Sequence, residues 1–334
     1  MKKITCIPVP PLIALAVLLC GCSTGEAIGQ LLGQSSQAPV FMQCRAVSPT
    51  EISFQFSLPV TVVTINFDPA VPVESVDGGD LVTVKLAGGL GAGERITADI
   101  LVEDENGNTL NVLVPLRTRN DRLPAFRINE LRTEYSKPKA EFIEIKTLSA
   151  GNLGGLRLYI AGNVKQPLVY EFAPTEVRTG EYILIHLRTV EEGTVDETGS
   201  DLALSGGTDA VAGARDFWVH GTDKLLHKTD AVWFADQDDR IIDAVLLSET
   251  ADPWWSKDQF IQAAELFCDQ GAWVSSDGKI AGPADAVRSA NIKTAMTRSI
   301  SRDETVPDTN TASDWYITAT SGITPGKPNN PARF

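Results

Sequence analysis

The sequence predicts an all-β protein: two tandem β-sandwiches, the second with a short helical insertion. Three observations lead there. From Val40 onward, short runs alternate apolar and polar residues, the period of half-buried strands. Pro, Gly, Asn and Asp break those runs at short intervals, as turns in sandwiches do. A single stretch, Phe260 to Phe267, places Phe260, Ala263, Ala264 and Phe267 at i, i+3, i+4 and i+7, one apolar helical stripe.

The first sandwich occupies residues 40–122. After a Ser48-Pro49-Thr50 turn, Glu51–Phe56 sets Ile52, Phe54 and Phe56 on one face and Glu51, Ser53 and Gln55 on the other. Val60–Phe67, Leu81–Leu86, Ile96–Glu103 and Thr109–Leu116 continue the pattern. Between the last two lies Asp104-Glu105-Asn106-Gly107-Asn108. Its carboxylates and amides have calcium-ligand chemistry. Asn106-Gly107 between alternating runs is more simply a hairpin turn, since both residues tolerate positive φ.

The linker Arg117–Ala125 leads into the second sandwich, residues 123–334. Its runs are Phe126–Arg132, Glu141–Lys146, Gly151–Tyr159, Tyr170–Pro174, Thr179–Ile185, Ala231–Phe234 and Arg240–Val245. The insertion spans about 250–299. Ser256-Lys257-Asp258-Gln259 reads as a capping box opening the helix, and Gly271 as its end.

Ahead of both sandwiches, Lys2 and Lys3 precede the apolar run Leu12–Leu19 and then Cys20-Gly21-Cys22. That run is far short of the ~20 residues a helix needs to cross a bilayer, so it reads as the core of a cleaved secretory signal. The arrangement resembles a bacterial lipoprotein signal. The resemblance implies a signal peptide over 1–21, lipid on Cys22, and a location in the cell envelope at the periplasmic or outer-membrane face. Residues 22–39 are small and polar and read as a flexible tether. Of five cysteines, Cys44 and Cys268 remain after cleavage and lipidation, and buried free thiols are the simpler expectation for them.

Phe54-Gln55-Phe56-Ser57-Leu58-Pro59-Val60, with the Asp104–Asn108 turn, resembles the bacterial Ig-like domains of adhesins and surface-layer proteins. The second half resembles the lamin tail domain. Ile128-Asn129-Glu130, Phe142-Ile143-Glu144-Ile145, Gly180 with Tyr182, Ala231–Phe234, Asp243 and the closing Thr324-Pro325-Gly326-Lys327-Pro328-Asn329 match that family in order. Phe142 stands where the family usually has Trp, and the helical insertion departs from its pattern. Such domains in bacteria often accompany hydrolase domains, and no such domain is legible here.

A formal charge of −14 repels phosphate backbones, so nucleic acid is excluded as a bulk partner. Removing Lys2 and Lys3 makes the chain more acidic still. No HExxH, GxSxG, phosphate-binding loop or CxxC is present. His220 and His227 flank Asp223, and Asp236, Asp238 and Asp239 share one turn. These are the weak metal candidates, with solvated loop residues as the plainer reading. Ala286–Arg302 carries Arg288, Lys293, Arg298 and Arg302 without an acid. It reads as a charge-balancing surface or as a contact for anionic glycan or headgroups.

Trp254, Trp255 and Trp273 bracket the insertion helix and are the partner-binding candidates, because aromatics dominate binding hot spots. The plainer reading has them pack the helix onto the sandwich. Adjacent Trp254 and Trp255 cannot both face one core in an extended segment. The expected function is a non-catalytic, lipid-anchored envelope protein that binds or scaffolds a protein or glycan partner, with no cofactor. The alternative is a metal-dependent envelope hydrolase built on loops of the second sandwich.

Overall fold

A computed structural model describes residues 37–275 and 277–334. The signal segment, Cys22 and nearly all of the tether lie outside the described residues. The protein is all-β and sandwich-like, and it divides into two compact units. One runs up to Gly89 and takes in Ile96–Leu116; the other comprises Leu90–Arg95 and Arg117–Phe334.

The first unit contains β1 (Phe41–Ser48), β2 (Glu51–Asp68), β3 (Val73–Asp77), β4 (Gly79–Leu86), β5 (Arg95–Asp104) and β6 (Thr109–Arg117). They join in the order β3-β4-β2-β5-β6, with β1 also on β2. Ile52, Phe54 and Phe56 are buried, with Val82, Val84, Ile100 and Val102 from neighbouring strands. The two runs expected at Glu51–Phe56 and Val60–Phe67 are one continuous strand. Its ladder to β4 breaks between Gln55 and Val60, and from Val60 it pairs with β5. Pro59, which has no N–H to donate, lies inside that break. Asp104 settles the choice at the Asn106-Gly107 turn. Its carboxylate accepts the backbone N–H groups of Asn106 (2.9 Å) and Asn108 (2.8 Å) and the Asn108 amide (2.8 Å). Gly107 takes φ 80°. The acid is consumed in making a hairpin turn.

The second unit holds two main sheets. Its strands are β7 (Phe126–Arg132), β8 (Phe142–Thr147), β9 (Gly151–Asn152), β10 (Arg157–Ile160), β11 (Leu168–Glu171), β12 (Glu176–Val177), β13 (Tyr182–His186), β14 (Arg215–Trp218), β15 (Asp230–Ala235) and β16 (Ile241–Ser248). Helix α1 (Asp258–Gln270) follows, then β17 (Val287–Arg288), β18 (Ile300–Arg302) and β19 (Trp315–Ile317). The first sheet runs β14-β13-β8-β7-β18-β19 and the second β11-β10-β15-β16-β17, with β9 and β12 paired apart.

Ile128, Ile143 and Ile145 of the first sheet share one core with Leu158, Val232, Phe234 and Val245 of the second. Alternation along β15 sends Phe234 inward, edge-on to Phe126 at 5.4 Å. Its neighbour Trp233 faces outward, stacked on Tyr159 at 4.9 Å and edge-on to Phe267 of α1 at 5.6 Å. The helix therefore covers the outer face of the second sheet. Phe260, Ala263, Ala264 and Phe267 are its buried stripe, and Gly271 closes it in the left-handed region. The capping expectation is corrected: the helix starts one residue later, with Lys257 at the N-cap and no side-chain cap, so Ser256 falls outside it. The insertion between β16 and β18 is also more than a helix, because its β17 pairs in parallel with β16.

Cys44 and Cys268 are both free. Burial pushes the Cys44 thiol up to about 12, which leaves it inert.

Candidate functional site

The three tryptophans of the insertion part company. Trp254 is 81% exposed, while Trp273 is 2% exposed. Trp255 is half-buried, tilted against Phe260 at 5.7 Å, and its indole N–H donates to the Ala281 carbonyl at 2.8 Å. The Trp273 N–H donates to the Asp285 carbonyl at 3.1 Å. Trp273 thus belongs to the core that fastens the insertion to the second sheet, and it cannot reach a partner. Trp255 anchors the segment, and Trp254 alone presents its ring.

The four metal candidates do not converge. His220 lines one hollow and His227 another. Asp236 accepts the N–H groups of Asp238 (2.8 Å) and Arg240 (3.0 Å) and pairs with the Arg240 guanidinium at 3.1 Å. Asp238 pairs with Arg119 at 2.6 Å. The aspartates thus build and hold their own turn, with Asp239 at φ 60°. Among the described residues no three His, Cys, Asp or Glu side chains form a metal-binding group.

The loop from Val219 to Thr229 separates two hollows. The larger, about 650 Å³, lies against the β10–β11 turn and takes in Lys165, Tyr170, His220 and Asp223. The smaller, about 430 Å³, is walled by His227 and Lys228 of the loop, Glu249 after β16, and Ser256 and Lys257 at the start of the insertion. Lys224 lines both. Lys224, Lys228 and Lys257 went unnoticed in the sequence. Lys224-Leu225-Leu226-His227-Lys228 without an acid, in a chain of −14, is a signal for the first two, and Lys257 figures there only as part of the capping box.

The outer face of the first sheet is a buried polar layer. Glu130 and Glu144 stand directly opposite each other on β7 and β8, both fully buried. Like charges so placed are normally destabilising. Here they clamp the closing segment. Glu130 accepts the Thr324 N–H at 3.1 Å, and Glu144 accepts the Gly326 N–H at 2.6 Å and the Asn129 amide at 2.7 Å. The Asn329 amide donates to the Asn129 carbonyl at 3.0 Å. Burial, then the neighbouring Glu130 charge, pushes the Glu144 carboxyl up to about 8, and burial raises Glu130 as well. Asp243 crosses between the sheets. It accepts the Ile128 N–H at 2.6 Å and pairs with Arg302 at 2.7 Å. Burial still lifts its carboxyl, to about 6.

The family described as TP_1001_2nd, protein second domain, matches residues 124–317, more than half of the chain. A protein of Treponema pallidum (strain Nichols), described as an uncharacterized protein, is 26% identical over 220 residues, covering 62% of this chain and 56% of that one. The chain thus spans little more than half the length of that relative. The N-terminal part of the bacterial S-layer protein SbsC aligns over 44% of this chain and 42% of its own, at 14% identity and a TM-score of 0.24. That likeness is too slight to carry any argument.

Proposed function

The chain belongs to the TP_1001_2nd protein second domain family, and from that footing we propose a non-catalytic envelope protein, lipid-anchored through Cys22, that holds a protein or glycan partner. The observation that carries the reading is Trp254. A tryptophan ring 81% in solvent is unfavourable for an isolated monomer, and this one is held in place. Pro253 precedes it, and Trp255 is fixed behind it to Ala281. A ring so constrained loses little entropy on binding. The anchor rests on the lipobox-like Leu19–Cys22. The lamin-tail-like reading of the second unit is supported by the meeting of Asn129, Glu130, Glu144 and Thr324–Asn329 in one buried network.

The test is site-specific photo-crosslinking in cells of origin, with the crosslinker at position 254 or, as control, at exposed Val164 on the β10–β11 turn. The expected result is a discrete adduct from position 254 that position 164 does not give. Identical adduct patterns from both positions would remove Trp254 as the contact.

A further inference from the structure

The geometry points to a second binding site, for a phosphomonoester-type anion, in the hollow of about 430 Å³ bounded by Lys224, Lys228 and Lys257. This inference goes beyond the partner-capture reading and does not depend on it.

The three lysines come from different parts of the fold. Lys224 and Lys228 rise from the loop before β15, and Lys257 arrives with the insertion. In a chain of net charge −14, three ammonium groups around one concavity need a reason. Ion pairing supplies it for only one of them. Lys228 lies 3.3 Å from Glu249, the lining carboxylate, and 4.0 Å from Glu134 behind it. Lys224 and Lys257 have no carboxylate within ion-pair distance among the described residues. The buried Asp230 does not line the hollow. Its oxygens accept the Gly162 N–H at 2.7 Å and the His227 N–H at 3.0 Å, and the His227 ring stands 3.5 Å away.

Two cations without a carboxylate partner line one hollow, with the Lys257 ammonium 5.8 Å from the Phe260 ring centroid, and together they match the charge of a phosphomonoester, roughly −1.5 to −2 near neutral pH. Its oxygens can be approached from several sides by lysines, which bind phosphate as point charges. A carboxylate has one charge and two oxygens and leaves one lysine unmatched. At Gly162 a Cβ would fall 2.5 Å from Asp230 Oδ2, so a larger residue there would have to displace the carboxylate that orders the loop. The insertion supplies one wall, which gives this segment a role besides covering the second sheet.

Binding to the full chain is measured calorimetrically at low salt with inorganic phosphate, with glucose 6-phosphate, and with vesicles containing phosphatidic acid, a lipid phosphomonoester. Saturable binding is expected, weakening as salt rises. Lys224→Ala and Lys257→Ala should each weaken it about tenfold, the loss of one charge-assisted contact. Lys257→Arg should retain most of it. Lys165→Ala, in the other hollow, and Trp254→Ala should change nothing, which separates this site from the partner surface. Thermal melts confirm that each variant folds. Response to glucose 6-phosphate but not to vesicles identifies a phosphorylated glycan as the source. Vesicle binding lost in the same two lysine variants identifies a lipid headgroup. Absence of saturable binding to all three probes, or binding unchanged in both Lys224→Ala and Lys257→Ala, overturns the assignment.

Discussion

Replacing Glu144 with Gln should change how stability depends on pH more than it changes stability itself. Glu144 is fully buried opposite Glu130, and its carboxyl is held at about 8 against an ordinary 4.5. The folded protein therefore keeps a proton that the unfolded chain releases. The sign follows from linkage: this contribution is complete below the unfolded value and is lost as pH rises toward about 8. At roughly 1.4 kcal/mol per pH unit, the loss between pH 5 and pH 8 is about 3 kcal/mol. Glutamine carries no such proton. It must also leave one of the Asn129 and Gly326 donors facing its NH₂, a loss of about 1–3 kcal/mol that does not vary with pH. Chemical denaturation of both proteins across pH 5–8 isolates the effect. Carboxylates elsewhere with lowered values, such as Glu171 and Glu176, act equally on both curves and cancel in the difference. The stability of wild type minus that of Glu144→Gln should fall by about 3 kcal/mol on going from pH 5 to pH 8, so that the wild-type advantage disappears or reverses. Parallel curves would show that Glu144 is ionised in the fold and that the closing segment is held by a charged pair.

Three further outcomes are expected. Arg302→Met strands Asp243 between the sheets and should cost about 3–5 kcal/mol by denaturation; because burial favours the protonated acid, the loss should be smaller at pH 5 than at pH 8. Trp273→Ala should cost about 3–5 kcal/mol as a cavity in the core, whereas Trp254→Ala should stay within about 0.5 kcal/mol, and equal melting shifts would contradict the assignment of the two rings. Cys22→Ala should leave an unprocessed precursor without lipid label, and normal labelling would contradict the anchor.

Much of the second unit was legible because its signals are local. The stripe Phe260, Ala263, Ala264, Phe267 described one face of α1, and that face is the buried one. The opposition of adjacent side chains separated Trp254 from Trp255 but could not say which would be exposed. That depended on the Ala281 carbonyl, 26 residues away, receiving the Trp255 indole. The capping box failed by one residue, since helix starts are set by the loop that delivers them as well as by the cap. The weak metal candidates do not meet, because spacing in sequence says nothing of convergence in space. His220 and His227 are seven positions apart and line separate hollows.

By itself, then, the sequence determined the all-β class, the hairpin at Asn106-Gly107 and the apolar face of the insertion helix. Each follows from backbone sterics and side-chain direction within a few residues. Tertiary structure alone decided what the motif residues do. Glu130, Glu144 and Gly326 are separated by up to about 200 positions, yet they form one buried network through strand pairing and the return of the closing segment. Lys224 and Lys257 became neighbours of one hollow only when the insertion folded back beside the loop before β15. Periodicity records which face of an element is dry. Which distant charges share a cavity depends on long-range register, and local pattern does not carry that information.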